Sequence, residues 1–320
     1  MSGPLLQNAG PGNIDEILTT SLVNMMPGIK DTIFKSNPVL EWLYKNNIKK
    51  RGGASLSHGI LYAANTTAQS YQRYEQLDTT PQDGMTRDQW QWAQYAVTVS
   101  IDGFSERIAN AGSSKIVDIV DEKKNQAQES LSLLLEQNLF AATPGTKDIR
   151  SLASIVATTG TEGQISATGN TWWQSQSKSS GSFASQGITD LTNLVNTINI
   201  QNPAGLPEML ISDQLTFEYY EKTQLDKIRY VGEDRAADGA FETLRFKGIP
   251  WKWSPQATAA TIYALHSSAL EFVVNSDTDF LVKPFVDSIS ADSRTAKILL
   301  AACLMTGNRR KLGKMTGISA

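Results

Sequence analysis

Chemistry needs nucleophiles, bases or metal ligands at usable spacings, and this chain offers few of them. It has two histidines, His58 and His266, and one cysteine, Cys303, in 320 residues. A serine-type triad needs a base aimed at its nucleophile, and neither histidine sits near a Gly-x-Ser-x-Gly elbow. Each reads as an ordinary surface or core histidine. Cys303 lies within Ile298-Leu299-Leu300-Ala301-Ala302-Cys303-Leu304-Met305, an apolar run that makes it a buried, inert thiol. One cysteine allows no internal disulfide, and one Cys with two scattered His residues makes no zinc set. Gly160-Thr161-Glu162-Gly163 lacks the lysine and the strand-to-helix setting of a phosphate loop. The carboxylate pairs Asp277/Asp279 and Asp287/Asp292 remain as candidates for acid–base work, and loop solvation explains them more simply. The sequence therefore nominates no catalytic residue, no cofactor-binding residue and no metal ligand. A hydrolase built on one of the carboxylate pairs is the enzyme alternative.

Charge narrows the partners. The formal net charge is -3 and the pI about 5.6, whereas a dedicated nucleic-acid binder shows a basic excess. The one dense basic cluster is Arg309, Arg310, Lys311 and Lys314. Its expected roles are solvation or a salt bridge between subunits, with weak, non-specific DNA contact as the lesser reading. Hydrophobic residues make up 40% of the chain and charged residues 19%, enough for one large core or two moderate ones. No apolar run reaches the roughly 20 residues that span a bilayer. Met1 to Gly10 lacks the pattern of a signal peptide, so a reducing, soluble setting is expected.

The elements that would position these residues are uneven along the chain. Roughly the first fifty residues read as an arm, punctuated by Gly3-Pro4 and Gly10-Pro11-Gly12. Its second amphipathic stretch carries Ile33, Phe34, Leu40, Trp42 and Leu43, with Pro38 suited to a helix start. Ordering such an arm costs about 1 kcal/mol or more per residue. Offsetting that needs on the order of 2,000 Å² of apolar burial at about 25 cal/mol per Å². Its own chain offers it little cover.

Residues 52–101 read as a long two-stranded excursion. Leu56 to Ala64 opens it, Asp78-Thr79-Thr80-Pro81-Gln82-Asp83-Gly84 is a turn signal, and the return is period-two from Tyr95 to Ile101. A long helix is expected from Ser114, as N-cap, to Ala142. Its stripe is Ile116, Ile119, Val120, Ala127, Leu131, Leu134, Leu135 and Leu139. Residues 143–187 are rich in Gly, Ser and Thr and read as surface loops. A helix follows with Ile188, Leu191, Val195 and Ile198 on one face, ended by Pro203 and Gly205. A short strand, Leu206 to Ile211, precedes a second helix capped by Ser212 and carrying Leu215, Tyr219 and Tyr220. Phe241–Phe246, Thr261–Leu265 and Leu270–Val274 are strand candidates. Ala296 to Met305 is apolar but ambiguous between strand and helix.

This order of parts resembles the major capsid proteins of tailed bacteriophages. Phe34-Lys35-Ser36-Asn37-Pro38-Val39-Leu40-Glu41-Trp42-Leu43 is similar to the N-terminal arm of one branch of that family. Residues 65–84 resemble its extended loop. Trp172-Trp173, after Thr158-Thr159-Gly160-Thr161, is similar to the opening of its axial domain. Phe246-Lys247-Gly248-Ile249-Pro250-Trp251 resembles a late strand and turn of that domain, and Ala296-Lys297 through Arg309-Arg310 its last strand and the following turn.

The resemblance implies an α+β, Hong Kong 97-like phage capsid fold. Its parts would be an N-terminal arm at 1–51, an extended hairpin loop at 52–101, a peripheral domain with a spine helix at 102–146 and 269–320, and an axial domain at 147–268. It also implies a structural, non-enzymatic subunit with no cofactor. The partners implied are other copies in pentamers and hexamers, scaffolding and portal proteins, and packaged DNA contacted weakly, with no membrane. The location implied is the virion capsid, after synthesis in the host bacterial cytoplasm. About fifty residues before the hairpin are too few for a fused scaffolding domain, so a separate scaffold or none is expected. No basis for covalent cross-linking is visible. A ring-forming phage protein without a shell role is the third reading.

Overall fold

The computed structural model describes residues 38–103, 119–201, 205–228 and 244–320. The expected arm up to residue 37, the N-cap Ser114 with Ile116, the helix end at Pro203 and the strand start at Phe241 lie outside these residues. The described residues divide into two compact units, one drawing on the stretches 95–131 and 280–300, the other on 38–94, 132–279 and 301–320.

In the first unit, β4 (Ala93–Asp102) alternates buried and exposed positions through Tyr95, Val99 and Ile101, the pattern of a half-buried strand. It pairs with β14 (Ser293–Thr306), and β13 (Leu281–Asp287) runs antiparallel to the first part of β14. Pro284 has no N–H to give the ladder, and the register there gains one residue between Lys283↔Lys297 and Val286↔Thr295. The helix α2 (Ile119–Leu139) runs from this unit into the second. It buries Ala127, Leu131, Leu135 and Leu139 at four-residue steps, while Leu134 is 42% exposed and off the stripe.

The second unit holds the remaining elements. Helix α1 (Pro38–Lys45) begins with proline in its first turn, where a missing N–H costs nothing. Val39, Leu40 and Leu43 of α1 are buried, so this part of the expected arm does find cover within its own chain. Strand β1 (Ile48–Lys50) pairs parallel with β12 (Leu270–Asn275), which pairs antiparallel with the end of β14. The apolar run before Arg309 is thus a strand. Ala301 to Thr306 are buried at every position, which is why periodicity could not separate strand from helix.

A six-stranded sheet carries the rest, in the order β7 (Gln176–Ser179), β15 (Gly313–Thr316), β11 (Thr261–Leu265), β8 (Met209–Ser212), β10 (Ile249–Trp253) and β9 (Leu244–Phe246). Helices α4 (Ile188–Gln201) and α5 (Gln214–Ile228) contribute Leu191, Leu194, Val195, Ile198 and Tyr220 to its core, and Tyr220 stacks on Trp251 with centroids 4.5 Å apart. Gly313 of β15 lies where α4 presses closest, since a Cβ there would come within 2.6 Å of Ile198 Cδ1. Asp213, not Ser212, holds the start of α5: its carboxylate accepts from the Thr216 hydroxyl, and its carbonyl from Phe217 N–H at 3.2 Å. Ser212 is buried in β8, where its hydroxyl accepts from Trp251 Nε1 at 2.9 Å.

Candidate interaction site: the extended loop and its anchor

The excursion is paired only at its root. There β2 (Gly59–Leu61) and β3 (Met85–Arg87) run antiparallel, and Leu56 and Trp90 exchange backbone hydrogen bonds of 2.9 and 2.8 Å. The period-two strand from Tyr95 joins β14 instead of serving as the return strand of the hairpin. Between Leu61 and Met85 the chain is irregular and held by local polar bonds. Tyr62 N–H donates to Gly84 O at 2.9 Å, Tyr62 Oη to Asp83 O at 3.1 Å, and Thr66 Oγ1 to Gln82 Oε1 at 2.8 Å. A run of side chains here has no cover: Leu61 is 75% exposed, Tyr71 67%, Tyr74 97% and Met85 75%. Large apolar side chains left open to solvent in this way make the loop the candidate interaction surface of the chain.

The root is built for rigidity. Leu56, Ile60 and Trp90 pack with Ile165, Trp173, Val273 and Met305, and Tyr62 stacks on Trp172 at 5.0 Å. Gly163, at φ +59° in the turn between the paired strands β5 (Thr161–Glu162) and β6 (Ile165–Ser166), passes so close that a Cβ would meet Asp88 Cβ at 2.9 Å. Asp88 is fully buried and accepts from Trp90 Nε1 at 2.7 Å and from His58 N–H. His58 Nδ1 lies 3.0 Å from Asp88 Oδ2, and His58 Nε2 lies 3.1 Å from Glu271 Oε2 on β12. Hydrogen bonding to Asp88 raises the His58 pKa above its ordinary 6.5; burial opposes the rise and Glu271 adds to it. His58 is thus a part-buried histidine held between two carboxylates. Its carboxylate partners lie 30 and 213 positions away in sequence, and no local motif announces them.

The other histidine, the cysteine and the carboxylate pairs do not converge on one site. His266 Nδ1 accepts from Ser268 N–H at 3.1 Å, and burial lowers its pKa. The Cys303 thiol is buried and pushed up to about 12 by desolvation, a poor nucleophile. Asp277 and Asp279 pair with Arg51 at 3.0 Å and Lys49 at 2.8 Å, and Asp287 pairs with Arg294 at 3.0 Å. Among the described residues, no group of three or more His, Cys, Asp or Glu side chains is placed to hold a metal ion, and no helix is long and apolar enough to cross a membrane.

The basic cluster divides, and Arg309 leaves it. The residue is fully buried, with Nε donating to Ile155 O at 2.7 Å and Nη2 to Ser154 O at 3.1 Å and Ala157 O at 2.8 Å. Its guanidinium sits 5.9 Å from the Trp173 ring centroid, and burial lowers its pKa to about 10. It stitches the end of α3 (Leu152–Ile155) and Ala157 to the chain beyond β14, so solvation, a salt bridge between subunits and DNA contact are all excluded for this side chain. Arg310, Lys311 and Lys314 keep partial exposure.

No family model and no curated protein matches the sequence. Solved structures do match, over nearly the whole chain. One is the capsid asymmetric unit of cyanophage A-1(L), 13% identical, covering 95% of this chain and 99% of that one at a TM-score of 0.70. The capsid of Myoviridae phage XM1 matches at 10% identity and TM-score 0.61, covering 99% and 100%. A chain of Mycobacterium phage Cain matches at 16% identity and TM-score 0.58, covering 96% and 99%. The fold is therefore that of Hong Kong 97-type phage capsids, as the order of parts in the sequence implies.

Proposed function

We propose that this chain is the major capsid protein of a tailed bacteriophage, a structural subunit and not an enzyme. The observation that carries this reading is the match, over 95% of the chain, to the capsid asymmetric unit of cyanophage A-1(L) at TM-score 0.70. The exposed apolar side chains of residues 61–85 support it, because their own unit leaves them uncovered while their root is anchored. In this reading the loop lies across a neighbouring copy, the contacts are head-to-tail, and the rotation closes into pentamers and hexamers of an icosahedral shell. The proposed segments are an arm at 1–51 whose last part packs on its own chain, an extended loop at 52–101 whose final strand joins β14, a peripheral domain at 102–146 and 269–320, and an axial domain at 147–268.

Double-stranded DNA is enclosed and touched weakly, in keeping with a net acidic chain whose basic cluster is reduced by the burial of Arg309. Scaffolding and portal proteins are the further partners, and the virion capsid is the location, after synthesis in the bacterial cytoplasm. Replacing residues 66–82 by a short Gly/Ser turn tests the loop assignment. The expected product is a folded subunit with native circular dichroism that no longer forms particles. Normal particles from that variant would overturn the role given to the loop.

A further inference from the structure

We propose that His58 is a proton-operated hinge pin, tying the root of the extended loop to β12 as an imidazolium and releasing it as the neutral ring. Both ring nitrogens face carboxylate oxygens, Nδ1 toward Asp88 at 3.0 Å and Nε2 toward Glu271 at 3.1 Å. Only the imidazolium carries two N–H donors; the neutral ring keeps one and turns a lone pair on the other side. A lone pair at 3.1 Å from a carboxylate oxygen is repulsive, so one of the two contacts must break on deprotonation.

The surroundings decide which contact breaks. Asp88 is fully buried and would lose a donor it cannot replace from water, so the proton stays on Nδ1. The Glu271 side chain is a quarter exposed and can take water in place of the ring. The link to Asp88, which belongs to the loop root itself, therefore survives. The link to β12 is the one that opens.

Few other charges intrude. His58 is the one titratable residue from Leu56 to Leu61, and Glu271 the one charged residue of β12. On the opposing strand Arg87 is exposed beside Asp88. Gly307, at the end of β14, faces the ring without a side chain. The loop packed beneath Asp88 brings Glu162, which is held by Arg150 at 3.3 Å. The folded pKa lies above 6.5, so the tie is complete below that value and is lost as pH rises through the folded pKa.

The consequence for a neighbouring copy rests on the capsid reading, whereas the hinge itself is a property of the single subunit. The test uses the full-length unassembled chain with ¹³C-labelled histidine, His266 serving as the internal comparison. The His58 midpoint should fall above 6.5 and shift downward in Glu271→Gln. Amide exchange over residues 56–61 and 85–90, corrected for its intrinsic pH dependence, should step up several-fold across that midpoint. In His58→Gln the step should vanish, and native circular dichroism of the variant shows that it has folded. A His58 midpoint at or below 6.5, an unchanged midpoint in Glu271→Gln, or no step in exchange would overturn the hinge. Particle formation is scored separately: shells without the exchange step refute the hinge alone, and a titrating hinge without shells refutes the capsid reading alone.

Discussion

Glu136 on α2 accepts the backbone N–H of Leu40 at 3.3 Å, a bond across 96 positions that seats the first turn of α1 on the long helix. Its second oxygen accepts from the Ser254 hydroxyl at 2.8 Å. The side chain is fully buried, and desolvation lifts its pKa to about 7 against the pull of these hydrogen bonds. A carboxylate at a helix N-terminus is favourably placed. One residue thus joins three segments of the second unit.

Replacing Glu136 by leucine strands the Leu40 N–H and the Ser254 hydroxyl, at about 1–3 kcal/mol each. Glu136→Gln keeps one acceptor and is expected to cost less. The pH dependence has a definite sign. The folded pKa is raised from 4.5 to about 7, so this group's contribution is full below 4.5 and is lost as pH rises toward 7. Urea unfolding at several pH values should show that slope in the wild type and its reduction in Glu136→Gln. An identical slope in the two proteins would refute the assignment.

Arg309→Leu leaves three carbonyl acceptors without their buried donor. Each buried carbonyl left unpaired costs about 1–3 kcal/mol, so a loss of several kcal/mol is expected. Arg309→Lys should not restore it, because an ammonium cannot reach the carbonyls of residues 154, 155 and 157 with a planar fork. Alanine at Arg310, which is part-exposed, should stay within about 0.5 kcal/mol. Thermal unfolding of the three variants decides the matter; equal effects at 309 and 310 would contradict the division of the cluster.

Leu131→Pro places a ring in the interior of α2, where it removes a backbone hydrogen bond at a cost of about 3 kcal/mol or more. Soluble, folded protein should be lost. Wild-type yield would show that the helix is not the spine of the subunit.

Removing residues 38–45 should also damage folding, not assembly alone. Val39, Leu40 and Leu43 are buried, and α1 is the partner of Glu136. A chain beginning at residue 46 should bind more of a hydrophobic dye and unfold at lower temperature. Unchanged stability would return α1 to the status of a free arm.

The parts legible in the sequence were those whose own pattern dictates them. The four-residue stripe of α2, the period-two run of β4 and the uniform strand Thr261–Leu265 each carry their burial in their spacing. β7, Gln176–Ser179, has no apolar residue, and it forms a strand because β15 offers it a parallel edge. Ser212 and Asp213 are both able caps, and only the buried bond from Trp251 to Ser212 separates them. The site was legible as an exposed loop and illegible at its anchor. His58, Asp88 and Glu271 meet through tertiary folding, as do Glu136 and Leu40. Arg309 sat among exposed cations in the sequence, and the open carbonyls at the end of α3 that claim it are more than 150 residues distant.

The central claim is tested most directly by expressing the full-length chain, with its scaffold where one exists, and imaging the purified particles by electron cryomicroscopy. The account predicts closed icosahedral shells in which this chain forms pentamers and hexamers, with residues 62–84 of each subunit lying on a neighbour. Monomers, or isolated rings that never close, would contradict it.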